Sequence, residues 1–516
     1  VFLFIAITLI VGQPMEKIFL QAQNGVSNNG GWFFVVSVNF FLFFMLYLAF
    51  SKLGRIRLGG KEAKPDFTRI EWFSMLFSAG MGIGILFWSV AEPVFHYLNP
   101  ALSETESLKA AQNAMGYSFL HWGLHAWGIY ALVGMALAFF AFNKHLPLAI
   151  NSVFYSLFGN KVYGLIGNII EILAVVATLF GLATSLGFGV QQVNAGLSYL
   201  FGINSNTSVQ ILLILIITLM ATGSVVSGLD KGVKRLSELN INIAAVLLVF
   251  VLIAGPTLFI LDSFVQNTGD YMQHFFERSF WTESYQGSNW QNQWTIFYWA
   301  WWISWSPFVG MFIARVSRGR TVREFVLGVL IVPTLLTFLW LTVFGGTAIQ
   351  LEMQGIGNIA AAVQDDVATS IYNLLENFPL STVSNFVAML LVISFFVTSS
   401  DSGSLVVDAF TSGGKTNTPI TQRVFWAFTI GGIAAVLLVG GGLNALQTAA
   451  IVTGLPFALI LMIMTYSLYK GLNREYLSEI VLRREKEKES YRDLIREIVA
   501  KTEKGEKQEN DPEQTE

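Results

Sequence analysis

FYWAWWISWSPFVGMFIARVSRGR, residues 297–320, packs Trp299, Trp301, Trp302 and Trp305 into seven residues of an apolar segment, with Pro307 in its middle. Arg315, Arg318, Arg320 and Arg323 close the segment. Tryptophan normally gathers at the two water-facing edges of a membrane helix, but this cluster lies near the centre of its span. Indole rings held deep in a helical bundle, with no acid beside them in the sequence, suit a ligand that is cationic yet cannot donate hydrogen bonds. A quaternary ammonium group is such a ligand.

The rest of the chain supplies the bundle. Hydrophobic residues make up 53% of the 516 residues and charged residues 13%, about half the charged share of a soluble domain. The apolar residues come in runs of about 20, enough to cross a hydrocarbon core, and are too long and continuous for barrel strands. These features predict an all-α integral membrane protein. Cys is absent, so disulfides, thiolate nucleophiles and iron–sulfur clusters are excluded. Val1 already lies in an apolar run, and residues 1–11 read as the end of a trimmed first helix rather than a signal peptide.

Apolar runs predict twelve spans near 1–12, 31–51, 70–98, 112–142, 162–200, 208–228, 238–262, 293–315, 324–349, 383–410, 424–441 and 444–470. Basic residues follow the even-numbered spans: Lys52, Arg55, Arg57, Lys61 and Lys64; Lys144; Lys231, Lys234 and Arg235; the four arginines; Lys415 and Arg423. The alternate loops carry acids, among them Glu104, Glu106, Asp262, Asp270, Glu352, Asp365 and Asp366. The bias predicts cytoplasmic termini.

The third span is interrupted by Gly80, Gly82 and Gly84 and then by Glu92-Pro93; the eighth is interrupted by Ser304-Trp305-Ser306-Pro307. Each opens a set of five spans, the pattern of an inverted-repeat transporter whose broken helices place the site at mid-membrane. Close helix packing is the other use of such glycines. The predicted organisation is two N-terminal transmembrane helices (1–51), a cytoplasmic linker (52–69), a first five-helix repeat (70–262), an extracytoplasmic loop (263–292), a second repeat (293–470) and a charged cytoplasmic tail (471–516). In the tail Tyr491, Leu494, Ile495, Ile498 and Val499 recur at helical spacing.

On the fourth span Trp122, Trp127 and Tyr130 lean toward one side of a helix. With Trp302 they offer ring faces from two helices, each worth about 0.5–2 kcal/mol to a cation. His121 and His125 have the i, i+4 spacing of zinc ligands, but the sequence places no acid or third histidine at a useful spacing, so packing beside the rings is their expected use. On the tenth span Phe395, Thr398 and Ser399 precede Asp401. The hydroxyls of Thr398 and Ser399, with carbonyls freed where the third span unwinds at Ala79 to Met81, would suit sodium. Bonding back into their own helix is the alternative. Asp401 is expected to cap or pair; Glu92 and Glu171 receive no role.

Over about residues 30–470 the chain closely resembles the betaine–choline–carnitine transporters, through GMGIGILFWSVAEP at 80–93, HWGLHAWGIYAL at 121–132 and the tryptophan-rich eighth span with RVSRGRT. The resemblance implies a core of ten helices with the leucine-transporter-type five-plus-five inverted repeat, two extra N-terminal helices and a homotrimer. It implies an aromatic box of Trp122, Trp127, Tyr130 and Trp302, flanked by Trp301 and Trp305, with Met81, Gly82 and Gly84 completing the substrate site. It also implies a sodium site of Ala79, Met81, Phe395, Thr398 and Ser399. Leu182, in Thr178-Leu-Phe-Gly-Leu182, stands where some relatives place a second hydroxyl, which puts a second sodium site in doubt. Gly84 supplies no counter-ion, whereas some choline-transporting relatives carry an acid there, so a net-neutral zwitterion is favoured.

The expected protein is a sodium symporter importing glycine betaine across a bacterial plasma membrane by alternating access. It needs no cofactor beyond the coupling ion, binds no nucleic acid and is not an enzyme. Choline or carnitine is the alternative substrate, and a channel the alternative class.

Overall fold

A backbone inside hydrocarbon has no water to bond to, and a helix is the structure that satisfies it within one segment. The computed structural model describes residues 2–12, 14–80, 82–226, 229–415 and 417–509. Their regular structure is helical throughout, apart from a single bridge pairing Arg57 with Thr321. The main helices are α1 (Phe2–Val11), α2 (Pro14–Phe50), α3 (Arg69–Gly80), α4 (Ile83–Leu98), α5 (Leu108–Trp122), α6 (Leu124–Lys144), α7 (Leu165–Phe201), α8 (Thr207–Val226), α9 (Leu229–Ala254), α10 (Thr257–Gln273), α11 (Thr295–Val316), α12 (Val322–Leu341), α13 (Ser381–Thr411) and α14 (Ile420–Glu509).

Among the described residues, eight helical stretches are long and apolar enough to cross a membrane. The predicted spans near 424–441 and 444–470 both fall within α14, on either side of non-helical backbone at Gly441 and Gly442. The chain forms two compact units, Val1–Leu468 and Tyr469–Glu516. In the second, Tyr491, Leu494, Ile495, Ile498 and Val499 lie on helix and are exposed.

The core of the first unit is organised around α11. From Thr295 to Met311 every residue is buried, against α6 above all and also α7, α2 and α3. Its Trp and Tyr rings would be poorly placed against lipid, because each carries a polar N–H or O–H. Burial inside the bundle is their alternative.

The broken-helix expectation holds for one of its two segments. The third span divides into α3 and α4, with Gly82 extended between them (φ −151°, ψ −160°). The eighth does not divide: α11 runs through Pro307 without a break. Proline removes the N–H that would have bonded the carbonyl of Ile303. The hydroxyl of Ser306 donates to that carbonyl at 2.7 Å, so the carbonyl keeps a partner. Two breaks were not foreseen. The fourth span parts at Gly123 into α5 and α6. The seventh ends at Ala254, before Pro256, and resumes as α10.

Beyond α12 a π-helical turn spans Thr342–Gly346. It seats Gly345 on α4, where an added Cβ would lie 2.5 Å from Pro93 Cγ and 2.6 Å from the carbonyl of Ser89. Neither neighbour is a flexible side-chain tip. Gly345→Ala is therefore expected to cost about 1–3 kcal/mol, the usual penalty for overpacking. It should be read as a lower thermal-unfolding midpoint of the detergent-solubilised protein.

Candidate functional site

The rings singled out from the sequence meet. Trp122 ends α5, Trp127 and Tyr130 lie on α6, and Trp301, Trp302 and Trp305 lie on α11. All six are buried. Trp302 is the hub: its ring centroid lies 4.8 Å from Trp122, 4.6 Å from Trp301, 6.2 Å from Tyr130 and 6.4 Å from Trp305. Trp127 stands edge-on to Tyr130 at 5.6 Å. The break at Gly123 also has a use. A helix end leaves carbonyls without intrahelical partners, and the indole N–H of Trp302 donates to the carbonyl of His121 at 2.7 Å. The same ring thus closes the box and caps α5.

The alternate glycines of the third span fit against these rings. A Cβ on Gly80 would lie 2.1 Å from Trp127, and one on Gly84 would lie 2.5 Å from Trp301 and 3.4 Å from Trp122. One on Gly82 would lie 3.5 Å from Trp305, an ordinary contact. Gly82 and Gly84 therefore lie against these rings, while Met81 lies outside the described residues, as does the side chain of Ala79.

Two residues of the site carry roles the sequence did not assign. Tyr298, one turn before Trp302, lies 5.6 Å from both Trp122 and Trp302. Glu92 is fully buried at the centre of a network. Its Oε2 accepts from the Trp122 indole at 2.7 Å and the Tyr298 phenol at 2.5 Å. Its Oε1 lies 2.6 Å from Nδ1 of His121 and 3.3 Å from Nε2 of His96. Nε2 of His121 lies in turn 2.9 Å from the Thr295 hydroxyl. The signal was present in the spacing, since Glu92 follows Gly84 by eight positions and so shares its helix face.

This corrects the expectation of rings with no acid beside them: the acid comes from another helix. It also corrects the reading of His121, which has both an acid and a second histidine at hand. Glu92, His96 and His121 offer ligand atoms within 4.8 Å of one another, as a metal site would need. Both carboxylate oxygens already accept hydrogen bonds. His125 goes elsewhere: its Nε2 bonds Asn39 at 3.1 Å and its ring stacks on Trp299 at 5.2 Å. Trp299 accordingly faces away from the box, as its neighbour in sequence would not.

On α13, Phe395 and Thr398 are buried and Ser399 is half-buried. The Thr398 hydroxyl reaches back to the carbonyls of Ser394 and Phe395 at 3.0 and 3.1 Å, and accepts from Asn240 Nδ2 at 3.2 Å. Asp401 pairs, as expected, by accepting from Ser224 at 2.6 Å. Glu171 accepts from the backbone N–H of Asn151 at 3.1 Å, tying α7 to the turn before it.

A family model described as BCCT, betaine/carnitine/choline family transporter, matches residues 1–477. The chain is 46% identical to a glycine betaine transporter of Acinetobacter baylyi, over 91% of this chain and 71% of that protein. It is 47% identical to a glycine betaine/proline/choline/ectoine transporter of Vibrio parahaemolyticus, over 92% of this chain and 85% of that one. It is 44% identical to the glycine betaine transporter OpuD of Bacillus subtilis, over 90% and 91%.

Proposed function

The chain belongs to the betaine/carnitine/choline family of multi-pass membrane transporters and is not an enzyme, and from that premise we propose that it imports glycine betaine by sodium symport. The observation that carries the reading is the buried cluster of Trp122, Trp127, Tyr130, Trp302 and Trp305 from three helices, linked through Tyr130 and Trp302. Several ring faces turned on one point bind a methylated ammonium without needing a donor from it. A zwitterion also needs donors for its carboxylate. The hydroxyl of Tyr130 and the indole nitrogens of Trp301 and Trp305 are buried and have no partner among the described residues. Buried donors without acceptors are costly, and a substrate carboxylate would satisfy them.

The finer parts of the proposal follow the family pattern. Twelve spans form a five-plus-five inverted repeat, in a homotrimer, in a bacterial plasma membrane, with both termini cytoplasmic. Sodium is held by the hydroxyls of Thr398 and Ser399 with the backbone of Ala79, Met81 and Phe395. Asn240 supports that placement, since its Oδ1 is buried without a partner among the described residues beside Thr398. Hard cations take such oxygens. Sodium stabilises the substrate-binding arrangement to the extent that it prefers that arrangement, and alternating access follows from one helix set rocking on the other. Choline, named among the substrates of the Vibrio relative, is the second reading.

Radiolabelled glycine betaine uptake into proteoliposomes tests the proposal. With an inward sodium gradient the substrate is expected to accumulate above its external concentration, and with potassium replacing sodium accumulation is expected to vanish. Equal uptake in both would refute the coupling. Stronger competition by unlabelled choline than by unlabelled glycine betaine would transfer the assignment to choline.

A further inference from the structure

We propose that Glu92 sets the charge of the aromatic box and positions its rings, so that the site selects a ligand whose head is permanently cationic. The inference rests on the reading of that box as the substrate site.

The network around Glu92 is complete with the acid ionised. An indole N–H only donates, so Oε2 serves Trp122 and Tyr298 with its lone pairs. Oε1 serves Nδ1 of His121 and Nε2 of His96. Each histidine reaches Glu92 through one ring nitrogen and needs no charge to do so. A neutral His121 donates from Nδ1 to Glu92 and accepts from Thr295 at Nε2. Nδ1 of His96 has no partner among the described residues, so protonating His96 would bury an unpaired N–H. Arg278 lies over the Tyr117 ring, which touches both histidines, but its guanidinium is already paired with Asp270 at 2.7 Å. His125 is turned toward Asn39 and Trp299. With both histidines neutral, the cluster carries one negative charge, that of Glu92, buried beside Trp122 of the box and its neighbour Tyr298.

That charge acts in two ways. It fixes Trp122 and Tyr298 by charge-assisted hydrogen bonds, which are stronger than neutral ones. It also attracts a cation bound against those rings through a medium of low dielectric. At an effective dielectric of roughly 20, one such charge about 10 Å away changes affinity by on the order of tenfold. Glu92 is in this sense a positioning and specificity-determining residue that acts through Trp122 and Tyr298.

The test compares glycine betaine with its uncharged-head isostere, 3,3-dimethylbutyrate, in which carbon replaces the quaternary nitrogen. Inhibition constants of both are measured on uptake by the full chain in proteoliposomes. In Glu92→Gln the inhibition constant of the isostere divided by that of glycine betaine is expected to fall about tenfold; a role in ring placement alone would weaken both ligands alike, and an unchanged ratio overturns the inference. Binding of glycine betaine by the unmodified chain, followed by tryptophan fluorescence, separates the two levels. Its absence sinks the substrate reading and this inference together, whereas its presence with an unchanged ratio sinks this inference alone. If Glu92→Gln gives no monodisperse protein, Tyr298→Phe decides. It keeps the ring and frees one lone pair of the carboxylate, leaving the charge less screened. A higher ratio then supports the proposal, and an equal or lower one overturns it.

Discussion

Trp302→Leu is expected to raise the KM for glycine betaine uptake at least about 30-fold, equivalent to roughly 2 kcal/mol of lost substrate binding. One ring face over a cation accounts for about 0.5–2 kcal/mol of that. The remainder comes from the neighbours. Trp302 touches Trp122, Trp301, Tyr130, Trp305 and Tyr298, so a leucine there loosens each of these rings. It also removes the donor to the carbonyl of His121 at the end of α5. Trp302→Phe separates the contributions. It restores a ring face while leaving the carbonyl uncapped, so it should recover part of the affinity and little of the stability. Saturable uptake measured over a range of substrate concentrations checks both, and an unchanged KM in Trp302→Leu would remove this ring from the site.

The second large effect concerns the glycine run. Gly80→Ala is expected to reduce uptake by about two orders of magnitude, because the new methyl group would lie 2.1 Å from Cη2 and 2.4 Å from Cζ2 of Trp127. A buried indole is rigid, and its neighbour Tyr130 stands edge-on against it. The ring must therefore turn out of its place in the box, and overpacking of this kind costs typically 1–3 kcal/mol before any loss of binding is counted. Gly82→Ala is the internal control. Its methyl group would meet Trp305 at 3.5 Å, so uptake should stay within about threefold of the unmodified chain, a difference below 1 kcal/mol. Equal losses at both positions would mean that the run serves backbone unwinding in general rather than contact with particular rings.

Much of this was legible in one dimension. Apolar runs of about 20 residues admit helices and little else in lipid. The glycines at 80, 82 and 84 and the tryptophans at 122, 127, 301, 302 and 305 were visible as groups that ordinary packing did not explain. Helical periodicity placed Trp127 and Tyr130 on one side of α6, and they meet there. Other features depended on neighbours distant in sequence. Pro307 suggested a broken helix, but a single hydroxyl on Ser306 repairs the ladder. His121 looked isolated from any acid because its partner is 29 positions away.

The sequence by itself determined the membrane environment, the helical class and the set of rings that could greet a methylated cation. These follow from composition and from periodicities of a few residues, which local physics enforces. Only the tertiary structure decided which rings share a space, that Trp299 does not belong with them, and that Glu92 accepts from Trp122 and Tyr298. The reason is that a buried carboxylate is tolerable only where several donors converge on it, and here those donors come from α4, α5 and α11. No window of sequence contains them together.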